Sequence, residues 1–417
     1  MALATASLTA SIILAACGGG STPASTEDPS ATERPAIETQ SVAQEQATPT
    51  SPPPAVVTTA RTGDEPVAAE LTKIAGWINS EPFTIESQRG KVVLVDFWTY
   101  TCINCIRTFP FLRDWHEKYA DQGLVILGVH TPEFEFEKIR DNVVRTAAEH
   151  GLEYAIAQDN DFGTWRAYEN RFWPAKYLID KDGYIRYTHF GEGSYDETEQ
   201  KIRELLAETG ANLDSVSEEV LPERQLDSAA FRGGIDDGVT RELYGGTERN
   251  FGAIESRTTP PYVLHEQYYG KLNVSQEYED PGEHLNNFIY LQGSWINGRE
   301  SLIRARDARD FNDYIAIRFN ATSVNAVMGP GESGPVHVRT TLDGGLLDPS
   351  QAGADVQWDL EGNSFVLVDE QKMYRVFRSP EFGGHELQLS PNAAGLELFA
   401  YTFGAYEEPA DSAEVIY

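Results

Sequence analysis

Apolar positions follow two different patterns along this chain, and the change falls near residue 212. Before it, apolar residues come in solid runs separated by helical stripes. Residues 91–97 (KVVLVDF) and 124–130 (LVILGVH) are continuous runs of the buried-strand type. Residues 103–120 between them read as a helix. Residues 135–150 read as a second, with Phe136, Ile139, Val143 and Ala147 on one stripe. A strand at 154–157, a helix at 161–170, strands at 175–179 and 185–190 and an amphipathic helix at 195–209 follow. The last two strands are joined by Asp180-Lys181-Asp182-Gly183, which suits a tight hairpin. The order βαβα, then βαββα, predicts one sheet, partly parallel and partly antiparallel, with helices on both faces.

After residue 212 the solid runs stop. Residues 213–258 are polar and acidic and read as a connector. From 259 to 417, short aromatic and β-branched runs fall at 288–291, 314–319, 336–341, 364–368, 374–377, 386–389 and 396–403. Asp343-Gly344-Gly345 and Gly383-Gly384 are turn signals between them. This spacing predicts an all-β, antiparallel sandwich. The fold class expected is therefore α/β over 67–212, followed by β-sandwich over 259–417.

Residues 18–66 lack any apolar period and are rich in Ser, Thr, Pro, Ala and Glu. They read as a disordered tether. Ahead of them, MALATASLTASIILAAC ends in an apolar stretch closed by Cys17. This resembles a bacterial lipoprotein signal, with 1–16 removed and Cys17 lipidated. The usual basic start is missing, and the stretch is far short of the roughly 20 residues that a spanning helix needs. The rest is expected to be soluble, exported and held at the outer face of the membrane. A net charge of −32 argues against a nucleic-acid partner. Three cysteines exclude a disulfide-stapled scaffold.

The other two cysteines, Cys102 and Cys105, lie in FWTYTCINCIRTFP, directly after a buried strand and at the start of a helix. Unpaired N–H groups and the helix dipole there stabilise a thiolate on the first cysteine. Its pKa is expected to fall below the free value of about 8.5. Cys102 then attacks a disulfide and Cys105, one turn on, resolves the mixed disulfide.

Asp96-Phe97-Trp98 ahead of the dithiol, Pro110 five residues after it and Trp173-Pro174 before the 175–179 strand resemble the thioredoxin superfamily, TlpA-like group. GVHTPEFEF at 128–136, DNDFGTWRAYENRFWP at 159–174 and GEGSY at 191–195 are most similar to the extracytoplasmic part of DipZ-type proteins. That resemblance implies a thiol–disulfide oxidoreductase acting on protein disulfides, with no cofactor beyond the dithiol, and makes Asp96 the buried carboxylate that accepts the proton of Cys105, a role that a carboxyl pKa raised by burial suits. It implies a cis Pro174 that offers the Trp173 backbone to substrate, with Trp98 and Thr101 beside it. It also implies a jelly-roll, carbohydrate-module-like second domain and a CcdA-like membrane electron donor. Thr101 stands where thioredoxins have Trp, and Ile103-Asn104 where they have Gly-Pro, so the redox potential does not carry over.

Three other readings compete. A metal site would need about four ligands, and the eight histidines are scattered. A purely structural disulfide across a two-residue loop would contribute little. A thiol peroxidase would use Cys102 with Thr99 three residues before it. In the second domain, Tyr262, Tyr268, Tyr269, Tyr278, Trp295 and Tyr314 are candidates for stacking on a cell-wall polysaccharide, or simply core.

Overall fold

The computed structural model describes residues 63–227, 230 and 238–406. Cys17, the signal and nearly all of the tether lie outside the described residues. The first module has strands β1 (Gly76–Ile78), β2 (Val92–Trp98), β3 (Leu124–His130), β4 (Ala155–Gln158), β5 (Ala175–Ile179) and β6 (Ile185–Phe190). They form one sheet in the order β1-β4-β3-β2-β5-β6, with β2, β3 and β4 parallel and the others antiparallel. The helices are α1 (Ile103–Tyr119), α2 (Arg140–Glu149), α3 (Gly163–Ala167) and α4 (Tyr195–Thr209).

Every residue of β2 is buried, which is why its sequence is a solid apolar run. Its side chains alternate between two cores. Val92, Leu94 and Trp98 share a core with Leu112, Trp115 and Ile202, whereas Val93, Val95 and Phe97 share one with Trp165 and Tyr168. Asp96 falls in the first register, on the side of α1. The expected helix at 135–150 begins instead as a 3-10 turn (Glu135–Lys138) before α2. The tighter turn breaks the helical phase, so Ile139 points out and is exposed, while Phe136, Val143 and Ala147 stay buried.

The second module is one antiparallel sheet of eleven strands. These are β7 (Leu243–Tyr244), β8 (Ser275–Tyr278), β9 (Ile289–Asn297), β10 (Leu302–Arg304), β11 (Tyr314–Gly329) and β12 (Val336–Leu342). They continue with β13 (Gly345–Leu346), β14 (Val356–Trp358), β15 (Ser364–Val368), β16 (Lys372–Pro391) and β17 (Glu397–Gly404). The first part of β11 pairs with β9 and its last part with β17, so the sheet curls around its own core. The Asp343-Gly344-Gly345 turn joins β12 to β13. Gly383-Gly384 is not a turn: both residues lie within β16, opposite Ala321 and Asn320. A Cβ on Gly384 would lie 2.7 Å from Asn320 Oδ1. The glycine therefore serves close strand approach beside an irregularity in register.

The segment read as a connector, 213–258, contributes structure of its own. It holds β7, which pairs with β17, and helix α5 (Thr247–Ser256). The modules share a core: the Phe399 ring lies 5.2 Å from that of Phe134 and 4.8 Å from that of Phe136. Arg145 and Glu370 add an ion pair at 2.8 Å. Among the described residues no helix is long and apolar enough to cross a membrane.

Candidate redox site

Strand β2 ends at Trp98, and three intervening residues lead to Cys102 at the start of α1. Cys102 is the residue that caps the helix: its backbone is extended, and its Sγ accepts the Cys105 N–H at 3.2 Å. Cys102 is half-buried and Cys105 is buried. Pro110 lies inside α1, where it lacks the N–H that would reach back one turn.

The expectation of a depressed Cys102 pKa is not met. Burial pushes this thiol up, and the carboxylates of Glu242 and Glu133 add to the effect, outweighing the stabilising contact with Cys105. The helix N-terminus is present, but two negative charges and loss of water oppose it. Burial likewise raises the Cys105 thiol well above its usual range, and Asp96 adds to the rise.

Asp96 is 1% exposed. Burial pushes its carboxyl up, and Lys176 pulls it part of the way back. Lys176 Nζ stands 3.3 Å from Asp96 Oδ1 and is itself fully buried. The register explains the pair, since Asp96 of β2 lies directly opposite Lys176 of β5. Lys176 is a residue that sequence reasoning missed. The signal was available: Asp96 and Lys176 are lone opposite charges within two runs of buried-strand type, and buried charges persist only when paired.

The Trp173-Pro174 peptide bond is cis. Pro174 is buried just ahead of Ala175, which pairs with Phe97 of β2, and Trp173 is half-buried. The Trp173 indole N–H donates to the Thr131 carbonyl at 3.0 Å, and its ring lies 4.2 Å from that of Trp165. Two residues expected to face substrate do not. Trp98 is fully buried, edge-on to Phe109 at 5.1 Å and to His130 at 4.9 Å, because it shares the inward register of Leu94. Thr101 is 2% exposed, and its hydroxyl donates to Glu137 Oε1 at 2.5 Å.

Glu137 is a second omission from the sequence reading. It lies in EFEFEK, which reads as surface helix, yet it is completely buried. Its Oε2 accepts the Phe134 N–H at 3.0 Å and the Glu133 N–H as well, tying the 131–137 loop to the residue before Cys102. Burial pushes its carboxyl up to about 7. Thr99 Oγ1, the residue a peroxidase would aim at Cys102, lies 3.4 Å from His130 Nε2. Burial lowers the His130 pKa to about 3, so its ring is neutral at ordinary pH.

The aromatic set considered for sugar stacking is not a platform. Tyr268, Tyr278 and Trp295 belong to the core of the second module. The Tyr269 hydroxyl is taken up by Asn250 and Val263, that of Tyr314 by Asp280, and the Tyr262 ring lies under Arg241. Residue type alone does not separate an exposed aromatic face from an inward one.

A dithiol at the first turn of a helix, a buried carboxylate on the preceding strand and a cis-proline ahead of the neighbouring strand are the arrangement of a thioredoxin-fold redox site. Residues 63–188 match a family model described as the AhpC/TSA family, and residues 262–404 match one described as a thioredoxin-like C-terminal domain. Protein DipZ of Mycobacterium bovis is 48% identical over 161 residues, 37% of this chain and 23% of that protein. The chain thus spans about a quarter of that relative's length. The thiol-disulfide oxidoreductase YkuV of Bacillus subtilis is 33% identical over 140 residues, 34% of this chain and 94% of YkuV. A solved thioredoxin-like protein in its oxidized form is 32% identical, covering 34% of this chain and 97% of that one, with a TM-score of 0.33. The chain belongs to the thioredoxin-like thiol–disulfide oxidoreductases.

Proposed function

We propose that this protein is an extracytoplasmic thiol–disulfide reductase, anchored through a lipid on Cys17 and acting on protein disulfides. The observation that carries the reading is the Cys102–Cys105 pair on the first turn of α1 with the buried Asp96–Lys176 pair behind it. Cys102 Sγ attacks one sulfur of the substrate disulfide, and the other sulfur leaves as a thiolate and takes up a proton. Asp96 accepts the proton of Cys105, whose sulfur then attacks Cys102 and releases the reduced substrate. Cysteine sulfur is the only electron carrier in this scheme, so a CcdA-like membrane partner must restore the dithiol.

Insulin reduction tests the scheme. Cys102→Ser is expected to abolish it, and Cys105→Ser to accumulate mixed disulfides with substrate. Full activity in Cys102→Ser would refute the assignment. Redox equilibrium in glutathione buffers tests the direction. Dithiols of this kind span about −270 to −120 mV. A reductase is expected near the low end, and a value near the high end would reverse the direction proposed.

A second reading concerns the β module. A cleft of about 290 Å³ is lined by Phe311, His337, Arg339, Trp358, Asp359 and Asn363, among others. Exposed Trp358 next to Asp359 and Asn363 combines an aromatic face with hydrogen-bonding groups, the chemistry that holds a sugar ring. We propose that this cleft, rather than the tyrosines named from the sequence, binds cell-wall polysaccharide and holds the redox module near its substrates.

A further inference from the structure

The segment that enters the β module also reaches the loop that holds Thr101, the neighbour of Cys102. Tyr244, at the end of β7, has its hydroxyl 2.9 Å from Glu133 Oε1 and 2.8 Å from Glu242 Oε2. Glu133 belongs to the redox module; Glu242 and Tyr244 belong to the segment leading into the other. Arg249 of α5 donates to Glu133 at 2.6 Å and lies over the Tyr244 ring at 4.8 Å. The Tyr262 ring stands 5.3 Å from that of Tyr244, with Arg241 above it. On the other side, the Glu133 N–H is held by Glu137, which also holds Thr101, the neighbour of Cys102.

Proton counting gives this arrangement its meaning. A phenol has one proton and can donate it to one carboxylate. Both contacts are full hydrogen bonds together only when the second carboxyl is protonated and donates to the phenol oxygen. Tyr244 keeps its own proton, because burial and the two carboxylates push its pKa far up. The protein packed around Glu242 and the Glu133 carboxylate both raise the Glu242 carboxyl. Glu242 is an exposed residue, so the neighbouring Glu133 charge is the more direct cause. The two carboxylates also act on Cys102 through space.

We propose that the second module completes the redox site: Glu242 and Tyr244 form with Glu133 a proton-holding unit that serves the attacking thiol of Cys102. This rests on the redox reading above. The ionised carboxyl of the unit takes the proton of the half-buried Cys102 by way of water. Cys102 Sγ then bonds to one sulfur of the substrate, and the substrate S–S bond breaks. The leaving sulfur departs with the electron pair and receives the proton held by the unit. The unit ends as it began, and the substrate disulfide is the only oxidant required.

The test follows alkylation of Cys102 by iodoacetamide from pH 5 to 10 in the reduced full chain, read on the Cys102 peptide by mass spectrometry. Glu242→Gln is expected to move the midpoint to lower pH and raise the rate at pH 7 about two- to tenfold, since one pKa unit is tenfold in thiolate. Exchange with oxidised glutathione, divided by thiolate fraction, is expected to fall by about tenfold, the loss of a proton relay. Glu242→Asp restores both. Arg145→Ala, which removes an inter-module ion pair that shares no hydrogen bond with the unit, leaves both unchanged. An unmoved profile in Glu242→Gln overturns the proposal, as does an equal shift in Arg145→Ala. A shifted midpoint with an unchanged rate per thiolate also overturns it, leaving a charge effect alone. Alkylation reads the thiol whether or not the dithiol turns over, so this failure is distinct from retained insulin reduction in Cys102→Ser.

Discussion

Lys176→Met isolates the buried ion pair. Methionine keeps much of the lysine volume and removes the charge, so Asp96 is left 1% exposed with its 3.3 Å partner gone. Removing one member of a buried pair destabilises by about 3–5 kcal/mol while the other stays ionised. Asp96 can escape part of this by binding a proton, because burial already holds its pKa above the ordinary value and the pull of Lys176 is lost. The folded state then binds more protons than the unfolded one, so stability falls as pH rises from the unfolded toward the folded pKa. The deficit of Lys176→Met relative to the parent is therefore expected to be full at pH 8 and to shrink toward pH 4. Urea unfolding at several pH values measures it. Asp96→Asn together with Lys176→Met, a neutral pair, should recover most of the loss, giving a coupling of about 2–3 kcal/mol. A deficit of equal size at pH 4 and pH 8 would show that Lys176 contributes packing alone, and the reasoning would fail.

Three further outcomes are expected. Glu137 has a folded pKa of about 7 against 4.5, so the parent should lose stability between pH 5 and pH 8, by up to about 3 kcal/mol. Glu137→Gln, whose amide can face Thr101 while its carbonyl keeps the two N–H donors, should flatten that slope in thermal melts. Phe399→Ala, which empties the space against Phe134 and Phe136, should lose about 3–5 kcal/mol in urea unfolding. Trp358→Ala in the full chain should abolish retention on cell-wall polysaccharide without changing insulin reduction; retention equal to the parent would exclude the cleft.

The first module was legible because its information is local. A solid run such as KVVLVDF needs a sheet covered on both faces, and CINC at the start of a helix needs no distant partner to be recognised. What was missed lies between elements. Lys176 acquires its role only from the β2–β5 register, and Glu137 only from the 3-10 turn that swings it inward. The Cys102 pKa went the other way chiefly because the thiol is buried, and Glu133 and Glu242, 109 residues apart in the chain by number, add to the rise. In the second module the longer strands were legible, but the short β7, β8, β10, β13 and β14 were not. Residues 374–377 and 386–389 are one strand, because glycine marks close approach as readily as it marks a turn.

β7 is two residues long, yet it decides where this protein can be cut. Leu243 and Tyr244 pair with Tyr401 and Ala400, near the end of the described chain. A fragment beginning at 259 would leave that edge of β17 bare and would strip the phenol from Glu133. One ending at 212 would turn Phe134 and Phe136 out to water. Nicking the chain within 211–227, by contrast, should leave two pieces that stay together and co-elute. The parts of this enzyme are separable as sequence families but not as objects: the boundary between them is drawn through a β-ladder.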